Sequence, residues 1–132
     1  MEKRILDTDI FIDYFREVSE AERYIKNLPI DQRYTTDITL MELYKGARDK
    51  SQLKKIVEFI ETNSFRVFPV TASASKKATE LVKKYTLSKG LIMPDALVAA
   101  ITITVGGTLV TGNKRHFEFI ENLKLEIPPY RN

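Results

Sequence analysis

Short apolar or β-branched segments alternate with amphipathic ones along nearly the whole chain, and this alternation constrains the fold more than any other feature. Arg4-Ile5-Leu6 reads as a short buried strand that ends at Asp7. Ile10, Phe11, Tyr14 and Phe15 then recur at the spacing of one helix face. A second helix fits residues 19–27, with Ser19 as N-cap and Pro29 beyond its end. Tyr34-Thr35-Thr36 is the next strand. From Thr39, TLMELYKGARD reads as a helix with Leu40, Leu43, Tyr44 and Ala47 on one face. Residues 51–61 form another, turning Leu53, Ile56, Val57 and Ile60 inward. FRVFPV, residues 65–70, is a third strand stopped by Pro69. Residues 74–87 read as a long helix whose outer face carries Lys76, Lys77, Lys83 and Lys84. Pro94 opens a very apolar helix over 95–105, which must be buried on most sides. After Gly106-Gly107 come a fourth strand at 108–111, a short turn at 113–117 and an edge strand near 125–127.

Strands alternating with helices imply βαβ units, so the expected class is α/β with a mainly parallel sheet covered by helices. No linker, repeat or low-complexity stretch interrupts the pattern, and a single domain over 1–132 is expected. The acids Asp7, Asp9 and Asp13 exclude a secretory h-region in MEKRILDTDIFIDYF. The longest purely apolar run, ALVAAI at 96–101, is far below the ~18–20 residues of a membrane span. A soluble, cytoplasmic protein with no membrane partner is expected.

Composition then narrows the chemistry. The chain has no cysteine and one histidine, His116, which excludes thiolate nucleophiles, zinc ribbons and any two-imidazole mechanism. Its 18 Asp and Glu leave carboxylate–metal chemistry as the main catalytic resource. A net charge of +3 agrees with an acidic macromolecular partner.

Ligands of open parallel sheets bind beyond the carboxyl ends of the strands. That rule selects Asp7 after the first strand and Thr111 to Asn113 after the fourth. Asp95 opens the buried helix, where the macrodipole favours negative charge, and Glu42 lies early in the helix after the second strand. Three carboxylates gathered in a partly dry pocket repel one another unless a cation sits between them. Oxygen-only ligands suit Mg²⁺ or Mn²⁺, and such an ion supports phosphoryl chemistry. Structural roles compete for each residue. Asp7 could cap the helix that follows, Thr39 and Glu42 match the capping box, Asp95 fits a helix-dipole pattern, and Asn113 fits a turn. The exposed turn KRHF makes His116 a bystander with Phe117 as its packing residue, while Lys114, Arg115 and, more weakly, Thr111 could meet phosphates.

The motifs LDTDIFIDYF, TLMELYKGA, MPDALVAA and LVTGNKRHF occur in that order. Together they resemble the PIN-domain nucleases, and in particular VapC-type toxins of toxin–antitoxin pairs. The resemblance implies a PIN-like three-layer α/β/α sandwich and an endoribonuclease dependent on Mg²⁺ or Mn²⁺. It assigns metal binding to Asp7, Glu42 and Asp95, with Asn113 at a fourth catalytic position often held by aspartate. It also implies cleavage of single-stranded or loop RNA to a 5′-phosphate and a 3′-hydroxyl, a homodimer, and a small VapB-type antitoxin. Phe11, Phe15, Tyr24 and Tyr44 are then expected at those interfaces. The competing reading, prompted by Asn113, is a catalytically weak or inactive PIN-like RNA-binding or scaffold module. A receiver-like phosphoacceptor domain is disfavoured, because FRVFPVTAS offers no acid after the third strand.

Overall fold

The structure, a computed structural model, describes residues 2–131. Five short strands, β1 (Arg4–Leu6), β2 (Arg33–Thr36), β3 (Arg66–Phe68), β4 (Thr108–Val110) and β5 (Lys124–Glu126), form one sheet. Their order is β3-β2-β1-β4-β5, and every neighbouring pair is parallel. Between them run α1 (Thr8–Phe15), α2 (Ser19–Asn27), α3 (Asp37–Lys45), α4 (Lys50–Thr62), α5 (Ala72–Lys89), α6 (Met93–Val105) and α7 (Lys114–Phe117). A 3-10 turn, Ile30–Gln32, precedes β2, and another, Pro129–Arg131, follows β5.

Successive strand residues point to opposite faces of the sheet, and both faces are apolar. Ile5 and Leu109 join Ala78, Leu81, Val98 and Ile101 in the core under α5 and α6. Leu6 and Val110 join Ile10, Phe11, Ile25, Ile56, Phe59 and Phe65 under α1, α2 and α4. The result is the α/β/α sandwich expected from the alternation. α6, apolar all round, has Ala96, Val98, Ala99, Ala100, Ile101 and Thr102 buried, as its composition requires. Its end is set by Gly106, whose φ of 69° is a left-handed conformation that favours glycine.

Several boundaries differ from the sequence expectations for physical reasons. α3 starts at Asp37, two residues early, because the buried Thr36 hydroxyl rather than Thr39 caps it by accepting from Thr39 N–H at 3.1 Å. Val18 rather than Ser19 is the N-cap of α2, and the Ser19 hydroxyl bonds Glu20 instead. β3 stops at Phe68, and β5 occupies Lys124–Glu126 in register with β4. Phe11 is fully buried, edge-on to Phe65 at 5.1 Å and Phe59 at 6.2 Å, so it is no interface residue. Phe15, Tyr24 and Tyr44 are half-buried. No helix of the described residues is long and apolar enough to cross a membrane.

Candidate metal centre

From β1 the chain crosses to β2 and β3 on one side, then returns through α5 and α6 to place β4 on the other side of β1. The strand order therefore switches at the β1–β4 seam, and open parallel sheets place their ligands beyond the carboxyl ends of the strands at such a switch. Asp7 and Thr111 sit on that seam, and Asp7 N–H donates to Val110 O at 2.9 Å.

Asp7 is buried and both its oxygens are fixed. One accepts from Thr8 N–H at 2.8 Å, so Asp7 does cap α1, and the other accepts from the Thr111 hydroxyl at 2.9 Å. Among the described residues no lysine, arginine or histidine ion-pairs with it. Burial, together with the charges of Asp9 and Asp95, pushes its pKa from 3.8 to about 7, against the opposing bonds from Thr8 and Thr111. Thr111 is itself fully buried with its hydroxyl committed to Asp7. It supports a carboxylate and is not exposed to meet a phosphate. The same Thr111 oxygen accepts from Asn113 N–H at 3.1 Å, which sets the loop carrying the exposed Asn113 side chain.

Asp95, in the first turn of α6, is mostly buried, and its carboxyl is raised by desolvation; His116 opposes that shift and Glu42 adds to it. Glu42 lies beyond the first turn of α3, and the capping reading fails for it because Thr36 performs the cap. Its carboxylate accepts instead from the Thr8 hydroxyl at 2.7 Å, a link between α3 and α1. The N-terminal ends of α1 and α6 carry Asp7 and Asp95, so two helix dipoles favour negative charge there. His116 belongs to the exposed turn expected for it, and Phe117 is buried beneath, yet Nδ1 of His116 stands 3.2 Å from Asp95 Oδ2. That contact was invisible to sequence reasoning. Lys114 and Arg115 are exposed on α7, Lys114 at 4.0 Å from Glu118.

A second group of acids lies on α1 beside this one. Asp9 accepts from Gly112 N–H at 2.8 Å, and Asp13 is held by Arg131 and by the Tyr130 hydroxyl. Arg131 was missed by sequence reasoning, since nothing local in PPYRN points back to a residue more than a hundred positions away. Between α1, α3 and α4 runs an open groove of about 640 Å³, lined by Ile12, Phe15, Leu43, Ala47 and Ile56 with Arg16, Arg48 and Lys55 among its polar residues. Glu42 lies on its lining, so the groove adjoins the first group of acids.

The donor set fits a hard divalent cation. Asp7, Asp95 and Glu42 are oxygen donors from three elements, and ionising the largely desolvated Asp7 puts it beside like charges, a state that a cation relieves. As the side chains stand, no three described His, Asp or Glu close on one point tightly enough to ligate an ion. Glu42 is engaged by the Thr8 hydroxyl and Asp95 by His116.

The PIN domain family model matches residues 4–122. No curated protein matches the sequence. Among solved structures, a toxin–antitoxin complex from Klebsiella pneumoniae contains a chain similar to this one, at 25% identity and a TM-score of 0.79, covering 96% of this chain and 98% of that one. DNA-bound VapBC from Salmonella typhimurium has a similar chain at 26% identity and a TM-score of 0.78, again covering 96% and 98%. VapBC2 from Rickettsia felis, bound to a promoter DNA fragment, matches at 24% identity and 0.77, covering 94% and 97%, and so speaks to the fold alone.

Proposed function

The chain belongs to the PIN domain family, and from that premise we propose that it is a VapC-type toxin, a metal-dependent endoribonuclease held in check by a small VapB-type antitoxin. The observation that carries the nuclease reading is Asp7: a buried carboxylate at the strand-order switch, oriented at both oxygens and raised in pKa by its acidic neighbours. Asp7, Asp95 and Glu42 would hold Mg²⁺ or Mn²⁺, which when bound supplies Lewis acidity toward a phosphodiester and a water acidic enough to act as nucleophile.

The chain's own residues do the rest. Thr8 and Thr111 fix both oxygens of Asp7, so little reorganisation is needed on binding. Thr8 tethers Glu42 to the rim through its hydroxyl. Asn113 lacks charge, so its part is to orient water or RNA by hydrogen bonds. Lys114 and Arg115, exposed on α7 shortly after β4, attract backbone phosphates without reading sequence. The groove between α1, α3 and α4, apolar with basic residues, suits a segment of a partner chain, and the similarity to chains of VapBC complexes supports an antitoxin there. A homodimer is part of the same reading, as is action on single-stranded or loop RNA in the cytoplasm by one PIN-like domain.

The test is cleavage of total RNA by the purified chain with Mn²⁺, with EDTA, and with Asp95→Ala. Metal-dependent cleavage lost in the variant is expected; equal cleavage by the variant would sink the assignment. One observation favours a second reading, a silent RNA-binding module: the described acids do not form a ready-made cage. Calorimetry separates the two, since the module would take up no Mn²⁺ while remaining folded.

A further inference from the structure

For the acids on α1, the protein supplies a cation of its own. Arg131 grips Asp13 with two nitrogens, Nε to Oδ2 at 2.8 Å and Nη2 to Oδ1 at 3.0 Å. The same Nη2 lies 3.8 Å from Asp9 Oδ2. The Tyr130 hydroxyl adds a 3.0 Å bond to Asp13 Oδ2 and so anchors the Pro129–Arg131 turn on α1. The loop after β4 is shaped around this arrangement. A Cβ added to Gly112 would stand 2.8 Å from Asp9 Oδ2 and 2.9 Å from Arg131 Nη1, so a larger residue would push the two apart.

Asp9 is close to the candidate centre. Thr111 Oγ1 donates to Asp7 at 2.9 Å and lies 3.5 Å from Asp9 Oδ1, so the two carboxylates flank one hydroxyl. Sites that hold two ions about 3.5–4 Å apart need a carboxylate shell for each. The carboxylate that shares this hydroxyl with Asp7 is Asp9, and the loop after Thr111 carries position 113. Position 113 is an asparagine, and Asp9 already faces a guanidinium.

We propose that Arg131 is a built-in counter-cation that keeps Asp9 out of metal binding, so the centre takes one divalent ion rather than two. Arg131 is thus a positioning residue, acting through Asp9 and the Gly112 loop. The inference rests on the metal-dependent reading above and adds to it the number of ions and the residue that sets it.

Calorimetric titration of Mn²⁺ into the full chain tests this, with circular dichroism to verify folding. The wild type and Arg131→Lys, which keeps a cation beside Asp9, should each bind one ion. Arg131→Ala should bind two, and Asp9→Asn combined with Arg131→Ala should return to one. Asp9→Asn alone preserves the acceptor for Gly112 N–H and should still bind one ion, with Mn²⁺ affinity lowered less than about tenfold, since only a charge acting through space on Asp7 is lost. Folded Arg131→Ala with one ion at wild-type affinity would overturn the inference. So would a loss of about tenfold or more in Asp9→Asn, since that makes Asp9 a ligand; this single variant decides the matter even if Arg131→Ala does not fold. No uptake by wild type would instead defeat the metal reading itself, and this inference with it.

Discussion

Two groups of acids flank the Thr111 hydroxyl, and the protein treats them differently. Asp9 and Asp13 lie on α1 against Arg131, with Gly112 N–H and the Tyr130 hydroxyl completing their bonds. Asp7 is more deeply buried and receives only a backbone N–H and a hydroxyl, while Asp95 meets one half-exposed imidazole. Desolvation raises both Asp7 and Asp9, but Gly112 and Arg131 counter it at Asp9, whereas the charges of Asp9 and Asp95 add to it at Asp7. The contrast separates acids that hold the fold from acids held by the fold. The first have their cation in the chain; the second have none beyond the imidazole of His116, which is the ground for proposing one from solution.

The largest test of that contrast is catalytic. Alanine at Asp7 or Asp95 should lower RNA cleavage by on the order of 10²–10³, the usual effect of deleting one preorganised electrostatic group. Quantified cleavage at saturating Mn²⁺, with folding verified by circular dichroism, measures it; a drop of less than tenfold in both variants would break the distinction.

Next in size is a stability effect of opposite sign. Asp7 binds its proton at about 7 in the folded metal-free chain and at 3.8 otherwise. Between those values the folded state carries a proton that the unfolded state lacks, so stability falls as pH rises through this window. The ceiling is about 4 kcal/mol at 1.36 kcal/mol per pKa unit. Asp7→Asn should therefore melt higher than wild type at pH 8, with the difference shrinking toward pH 4. Mn²⁺ should raise the melting temperature of wild type and leave Asp7→Asn unmoved. Identical pH slopes in the two proteins would refute the charge-strained reading of Asp7.

The sequence was most legible where local pattern and tertiary role coincide. β1 ending just before Asp7, the apolar α6 with Asp95 in its first turn, and the strand-end rule for Thr111 all follow from periodicity and connection topology. For Glu42 the capping alternative was decided by where β2 ends: in TTDITLME either threonine can cap, and Thr36, still extended at the end of β2, does. Phe11 shows the same limit, because whether an apolar face meets the core or a partner depends on α4, which supplies Phe59, and on the entry to β3, which supplies Phe65. The partners of the acids were not legible. His116 reaches Asp95 across 21 positions and Arg131 reaches Asp13 across 118, and no local spacing encodes such contacts.

Thr111 joins the two groups, and its hydroxyl can be removed with little change of shape. Thr111→Val leaves Asp7 Oδ2 and Asn113 N–H without this partner. A buried group left unsatisfied costs about 1–3 kcal/mol, and that is the expected loss in denaturant unfolding at pH 8. At pH 5 the cost should shrink, because Asp7 is then mostly protonated and its lost bond matters less. A valine variant as stable as wild type at both pH values would show that the hydroxyl holds neither carboxylate.

The smallest effect belongs to cations that have not been recruited by either group. Lys114 and Arg115 face solvent on α7, unlike Arg131, whose charge is spent on Asp13 and Asp9. If they act on RNA, they do so through phosphates, where each charge adds about 0.7 to the salt slope of single-strand binding. Arg115→Ala and Lys114→Ala should each raise KM about two- to fivefold and leave kcat nearly unchanged, because the contact is the same in ground and transition states. Steady-state cleavage across a series of NaCl concentrations reads both quantities. A fall in kcat with unchanged salt slope would move these residues into the chemical step and erase the line between solvent-facing charge and the centre.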